Sequence, residues 1–193
     1  EFHSVDPKDG IQALRNAEKN PANTTIFRPS VIFGPGDSFF NRFAALLRLG
    51  PVFPLAMGDS KLQPVFVGDV VDAISNALES RETWGETYDL AGPEVYTLRE
   101  LVEYTASITG SRSRVLALSE GLGRLQAKIL EKFPGTPLSE DNLRSLEVDS
   151  VTSNNGLTRL GITPTGIDAI VPGYLGGQNQ QHRFGLFRRL AGR

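Results

Sequence analysis

The sequence contains no cysteine, and this absence removes disulfides, thiolate metal sites and cysteine nucleophiles from consideration. Histidine is nearly missing as well. His3 and His182 stand at opposite ends of 193 residues, so neither a histidine-rich metal centre nor a Ser/His/Asp triad has material to form. No apolar run reaches the length of about eighteen residues that a membrane-spanning helix needs, and the first residues lack the basic-then-apolar order of a signal peptide. The expectation is a soluble protein of a reducing compartment, cytoplasmic unless a surface segment associates it with a membrane. Excess positive charge is also absent: a formal net charge of -2 gives no face that would displace counterions from phosphates, so nucleic acid is not an expected partner. What remains is ordinary globular composition, 39% hydrophobic and 22% charged, enough for one core with a small annex.

The chain alternates short strand and helix patterns. Residues 1–6, EFHSVD, read as residues encoded by cloning sites and are set aside. From Pro7 a short amphipathic helix runs to Asn20-Pro21, followed by the β-branched and aromatic NTTIFRPSVIF, a strand running into a loop. Phe39, Phe43, Leu46 and Leu47 then recur at helical spacing, with Asp37 or Ser38 as N-cap and Gly50 as the stop. A strand at Val65 to Val67 leads to a helix with Asp69 as its cap and Val70, Val71, Ile74 and Leu78 on one face. GETYDLAG is a further strand, and Thr97 with Glu100 forms a capping box before Leu98, Leu101, Val102 and Thr105. Alternation of this kind predicts parallel pairing. Beyond SRVLAL the pattern is mainly helical, at Ser119 to Phe133, at Ser139 to about Glu147 and within TPTGIDAIVPGYL, so residues 7–110 read as the α/β part and 111–177 as a helix-rich cap.

Residues 178–193 change character. Arg183, Arg188, Arg189 and Arg193 are interleaved with Phe184, Leu186, Phe187 and Leu190, and without these four arginines the rest of the chain carries about -6. Such a basic amphipathic tail suits an anionic membrane or an acidic partner, or it is a solvated terminus.

Taken in order, TIFRPSVIFGPGDSFFNRFAALL, LQPVFVGDVVDAISNAL, GETYDLAGPEVYTLRELVEY and LGITPTGIDAIVPGYL resemble the C-terminal half of the atypical or extended short-chain dehydrogenase/reductase family, the NAD-dependent epimerase/dehydratase superfamily. Within it the nearest likeness is to the branch related to the NAD(P)-binding accessory subunit of respiratory NADH:ubiquinone oxidoreductase. The resemblance covers roughly Asp9 to Gly177. It implies a partial Rossmann-like, doubly wound α/β fold, with NAD or NADP as cofactor of the complete family protein and possibly none in this chain.

The same resemblance implies a site. The family's loop after the RPS strand passes under the nicotinamide, which assigns Pro29, Ser30, Val31 and Phe33 to the cofactor, while Gly34, Arg42 and Gln63 fall where substrate would lie. Read from the residues alone, Val31, Ile32 and Phe33 are equally core, and Arg28, Arg42 and Gln63 equally ion-pair or capping partners. The family's glycine-rich loop has no counterpart: Gly121-Leu122-Gly123 is followed by Gln126, not glycine, in the third place. The Tyr-x-x-x-Lys pair would fall near His3 and Pro7, which do not match, so no catalytic residue is assigned and no metal site is expected.

A doubly wound sheet lacking one half exposes a parallel edge and apolar faces. The expectation is that a homodimer or the missing N-terminal half covers them. Three functions compete: an oxidoreductase-like fragment, catalytically incomplete; an accessory or assembly module docking on a respiratory or membrane complex, which the basic tail favours; and a binder of a small apolar molecule beside Ser30 and Phe33.

Overall fold

The computed structural model describes residues 24–118, 146 and 148–176. In chain order these form strands β1 (Ile26–Pro29) and β2 (Ile32–Phe33), helix α1 (Phe39–Leu46), strands β3 (Val52–Leu55), β4 (Lys61–Leu62) and β5 (Val65–Phe66), and helix α2 (Val67–Glu79). A single 3-10 turn (Arg81–Thr83) leads to β6 (Thr87–Leu90), β7 (Tyr96–Thr97), α3 (Leu98–Thr109), β8 (Arg114–Ala117), α4 (Gly156–Arg159) and α5 (Ile167–Leu175). The expected helix after Pro7, the expected helices at 119–133 and 139–147, the Gly121–Gln126 stretch and the basic tail lie outside the described residues.

Three strand pairs are parallel: β1 with β6, β2 with β5 and β3 with β8. Helices separate the members of each pair in sequence, as the alternation predicts. The short β4–β7 pair is antiparallel, an addition that the sequence pattern does not signal. The arrangement is a partial Rossmann-like α/β fold, with β1 and β6 in register from Ile26 opposite Thr87 to Pro29 opposite Leu90.

Local chemistry explains the helix starts. Thr97 Oγ1 accepts the Glu100 N–H at 3.2 Å and Glu100 Oε2 accepts the Thr97 N–H at 2.7 Å, completing the capping box of α3, which Gly110 closes at φ 68°. At α1 the side-chain cap is Asp37, whose Oδ1 accepts the N–H groups of Phe40 and Asn41 at 2.7 and 3.3 Å. This helix ends at Leu46, short of the expected stop at Gly50, and a tighter turn carries the chain through Leu47 to Leu49. Helix α2 begins at Val67, so the strand before it is shorter than expected, and Asp69 lies inside the first turn instead of capping it. Its buried carboxylate reaches another element: Oδ2 accepts the Thr165 N–H at 2.7 Å and Oδ1 accepts the Thr165 hydroxyl at 2.9 Å.

Two apolar clusters hold these elements. The larger joins Phe33 of β2, Phe40 of α1 and Leu47 just after it, Phe53 and Leu55 of β3, Leu98, Leu101 and Val102 of α3, and Ile167 and Val171 of α5. Edge-on aromatic contacts, such as Phe33 with Phe40 at 6.0 Å and Phe43 with Phe53 at 6.1 Å, fill its centre. The smaller cluster places Val70 and Ala73 of α2 with Val65, Tyr88, Leu90 and Leu157. The face of α2 predicted from large apolar residues is therefore only partly the buried one. Val70 is buried with Ala73 and Ala77, while Val71, Ile74 and Leu78 are exposed.

Candidate functional site

Open parallel sheets bind ligands at the carboxyl ends of their strands, because side chains and backbone groups converge there in the loops that follow. In this chain the end of the β1–β6 pair is reached at Ser30, whose N–H donates to the Leu90 carbonyl at 2.9 Å. A segment from more than a hundred residues later crosses this end. Ser30 Oγ donates to the Ser150 carbonyl at 2.9 Å, and the Ser150 hydroxyl donates back to Ser30 Oγ at 3.0 Å. The Gln63 N–H donates to the same Ser150 carbonyl at 3.1 Å. Buried Gln63 extends the knot through its side chain, Nε2 donating to the Gly92 carbonyl at 2.8 Å and Oε1 accepting the Thr152 N–H at 3.0 Å. Asn155 completes it by donating from Nδ2 to the Ala91 carbonyl at 2.6 Å while its Oδ1 accepts the Leu157 N–H that opens α4.

Two glycines allow this close approach. A Cβ on Gly92 would lie 1.9 Å from the Pro64 carbonyl oxygen, and one on Gly156 would lie 2.8 Å from Tyr88 Cβ.

The sequence-assigned residues divide over distinct surroundings. Ser30 and Gln63 meet in the knot described above, and the Val31 carbonyl accepts the Val65 N–H at 2.9 Å beside it. Pro29 is exposed at the end of β1, next to an exposed Arg28–Asp89 ion pair. Phe33 is fully buried among Phe40 and Phe66. Gly34 donates its N–H to Asp37 Oδ2 at 3.2 Å and packs against Val67, whose Cγ1 would lie 2.6 Å from an added Cβ. Arg42 is exposed on α1 and makes no hydrogen bond with the others.

The sequence reading missed Ser150, Thr152 and Asn155, although the run Ser-Asn-Asn-Gly at 153–156 carries the turn-forming composition that marks such a crossing. It also missed a cluster of phenols and carboxylates. The Tyr174 hydroxyl donates to Asp37 Oδ2, binding α5 to the turn before α1, and the Tyr96 hydroxyl donates to Glu94 Oε2. The Tyr104 hydroxyl is buried beside the Asp168 carboxylate. Burial is the largest cause pushing all three phenols above their ordinary range, and the neighbouring carboxylates, Glu94 for Tyr96, Asp168 for Tyr104 and Asp37 for Tyr174, push the same way. A phenol held neutral in this manner donates hydrogen bonds, whereas proton abstraction by tyrosine requires the opposite shift. Among the described residues no group of three or more histidines, cysteines or carboxylates is placed to hold a metal ion. The arrangement supports binding and rigidity better than acid–base chemistry.

No family model matches the chain. It is similar to NADH dehydrogenase (ubiquinone) 1 alpha subcomplex subunit 9, mitochondrial, of Arabidopsis thaliana, being 31% identical over 167 residues that cover 78% of this chain and 41% of that protein. The protein of the same name in Dictyostelium discoideum is 29% identical over 150 residues, covering 75% of this chain and 42% of that one. The chain thus spans about two fifths of the length of the curated relatives it matches. Among solved structures, dTDP-glucose 4,6-dehydratase from Streptomyces venezuelae with NAD bound superposes with a TM-score of 0.58 at 18% identity, over 90% of this chain and 49% of that one, a likeness of fold.

Proposed function

From the premise that this chain is a relative of the NADH dehydrogenase alpha-subcomplex subunits and has the fold of the NAD-dependent epimerase/dehydratase proteins, we propose that it acts as part of a non-catalytic accessory subunit docking on a respiratory complex. The fold is oxidoreductase-like. The observation that carries the reading is the Ser30–Gln63–Ser150 knot. Its hydroxyls and amide are engaged with the chain's own backbone and with each other, at the sheet end where a catalytic relative would present them to cofactor or substrate.

The three neutral phenols support the same reading, because none is tuned to move a proton near neutral pH. In this reading residues 7–110 supply the α/β framework, 111–177 cap it, and the arginine-rich residues 178–193 add a basic contact to an anionic membrane or to the complex itself. Among the described residues no helix is long and apolar enough to cross a membrane. Of the cofactor-side positions Pro29, Ser30, Val31 and Phe33, Pro29 is exposed while the Ser30 hydroxyl is engaged with Ser150 and Phe33 is fully buried, so any NAD or NADP contact in a longer protein would fall to Pro29 and the nearby backbone. Of the corresponding substrate-side positions, Gly34 and Gln63 are buried, Gln63 with its amide bonded to Gly92 and Thr152, and Arg42 is exposed.

The test has two arms. The tagged chain is incubated with detergent-solubilised Arabidopsis mitochondrial membranes and the retained material is probed for NADH dehydrogenase activity after native electrophoresis. Retention that weakens when residues 178–193 are removed supports the accessory role. Saturable quenching of NADH or NADPH fluorescence by the chain alone, with no retention of the complex, would replace that role with a cofactor-binding enzyme.

A further inference from the structure

Asn155 and Gly156 form the only Asn-Gly pair in the sequence, and the fold leaves little choice at either position. Residue 155 must donate and accept at once: Nδ2 donates to the Ala91 carbonyl at 2.6 Å, while Oδ1 accepts the N–H groups of Leu157 and Ala91 at 3.0 and 3.4 Å. An amide meets both demands, whereas a carboxylate only accepts. Residue 156 can carry no side chain, because a Cβ would lie 2.8 Å from Tyr88 Cβ and 3.0 Å from the Asp89 carbonyl oxygen. A glycine nitrogen, with no side chain to shield it, is also the backbone nitrogen best able to reach the amide carbon before it. Close packing at the sheet end thus installs the dipeptide most prone to cyclise.

In the seated fold that cyclisation is held back. Hydrogen bonds to Nδ2 and Oδ1 lie near the amide plane and fix its orientation, and turning the plane face-on to the Gly156 nitrogen would break them. Residues 150–156 cross the sheet end between two anchors. At one, Ser150 donates its N–H to the Lys61 carbonyl at 2.9 Å and Thr152 donates its N–H to Gln63 Oε1 at 3.0 Å; at the other stands Asn155 itself. Val151, Ser153 and Asn154 are exposed, and no residue from 150 to 155 belongs to either apolar cluster. The crossing can therefore lift from the sheet end without opening the core.

We propose that Asn155 is a modification site at which the chain reacts with itself: spontaneous deamidation, held off while the crossing is seated and started by its lifting, which then keeps the crossing from reseating. The Gly156 backbone nitrogen attacks Asn155 Cγ and gives up its proton. A C–N bond forms, the Cγ–Nδ2 bond breaks, and Nδ2 leaves as ammonia with that proton. Water then opens the five-membered imide at either carbonyl, giving aspartate or, with the chain rerouted through the side chain, isoaspartate; nothing is oxidised or reduced. Aspartate still accepts the Leu157 N–H but turns an acceptor toward the Ala91 carbonyl, so the attraction at 2.6 Å becomes a repulsion. Isoaspartate also lengthens the backbone beside Gly156, where Tyr88 and Asp89 leave no room. A transient opening is in this way made permanent. The inference goes beyond the respiratory role and does not depend on it.

The experiment keeps the 193-residue chain in mildly alkaline buffer, folded or unfolded in urea, and follows by mass spectrometry the conversion of amide to acid in the peptide that contains Asn155. Deamidation in the folded chain should be at least about tenfold slower than in the unfolded one. Gln63→Leu, which frees Thr152 without touching Asn155, should speed the folded reaction at least about tenfold, whereas Asp37→Ala, which removes the cap of α1 and the partner of Tyr174, should change it by less than about twofold. If Gln63→Leu does not fold, Ser30→Ala makes the same comparison with a severalfold rise, since it removes one bond to the Ser150 carbonyl. Asn155→Asp stands in for the aspartate product, and its Ser150 and Thr152 amides should exchange at least about tenfold faster than in the parent while the Glu100 amide keeps its rate. Three outcomes overturn the proposal: folded and unfolded chains that deamidate equally fast; equal acceleration by Gln63→Leu and Asp37→Ala, which would assign the reaction to global unfolding; or unchanged exchange at Ser150 and Thr152 in Asn155→Asp.

Discussion

Replacing Gln63 with leucine tests whether the knot at the sheet end is structural. The side chain is 7% exposed and satisfies two backbone groups on different segments, the Gly92 carbonyl at 2.8 Å and the Thr152 N–H at 3.0 Å. Leucine fills a similar volume but leaves both groups without a partner, and each buried orphan costs about 1–3 kcal/mol. Some of that loss is offset because the glutamine amide no longer has to be desolvated, so the expected net destabilisation is about 2–4 kcal/mol. Ser30→Ala supplies the scale. Its hydroxyl is only partly buried and water can replace it, so the expected loss is about 1 kcal/mol. Both are measured by urea unfolding followed by circular dichroism. With a slope of about 2 kcal/mol per molar urea, Gln63→Leu should lower the midpoint by about 1–2 M and leave the slope unchanged. A Gln63→Leu protein within about 0.5 kcal/mol of the parent would mean that the amide is not needed for folding. The argument that the chain itself consumes this site would then fail.

Three further outcomes follow from the same coordinates. Gly92→Ala should destabilise by about 3 kcal/mol or more or prevent cooperative unfolding, because the new Cβ meets the Pro64 carbonyl at 1.9 Å between two backbone segments; Gly36→Ala, with open space around it but φ +83°, should cost only about 1 kcal/mol in the same urea assay. Asp69→Ala should cost about 2–3 kcal/mol by releasing Thr165 from α2, and rapid amide exchange at Thr165 would report it. Raised phenol values at Tyr96, Tyr104 and Tyr174 mean that the unfolded chain loses these protons first, near pH 10, so the folded state holds more protons above that point. Stability should be fully present below about pH 10 and fall as the pH rises further, and unfolding midpoints that stay level into strongly alkaline solution would contradict the assigned environments.

Much of the framework was legible in the residues. The Thr97–Glu100 box, the glycine that ends its helix and the β-branched run from Ile26 each dictate local structure through backbone hydrogen bonding and sterics that operate within a few residues. The resemblance of four ordered motifs anticipated the α/β fold that the TM-score of 0.58 supports. Parallel pairing of β1 with β6 followed from alternation, because parallel strands need a crossover between them.

Tertiary structure decided which side of α2 is buried. Hydrophobicity alone favours the large residues Val71, Ile74 and Leu78, yet the helix sits close over the sheet on Ala73 and Ala77, with Asp69 turned toward Thr165. Small residues permit that close approach, and periodicity read in isolation cannot weigh it against side-chain volume. The Ser30–Ser150 contact spans 120 positions, and Asp37 and Tyr174 meet across 137. A sequence read alone determines which residues can form a strand, a cap or a turn, since those forces act along the chain. The partner that finally satisfies Ser30, Gln63 or Asp69 is chosen only when distant segments are packed together and every buried polar group has to find one.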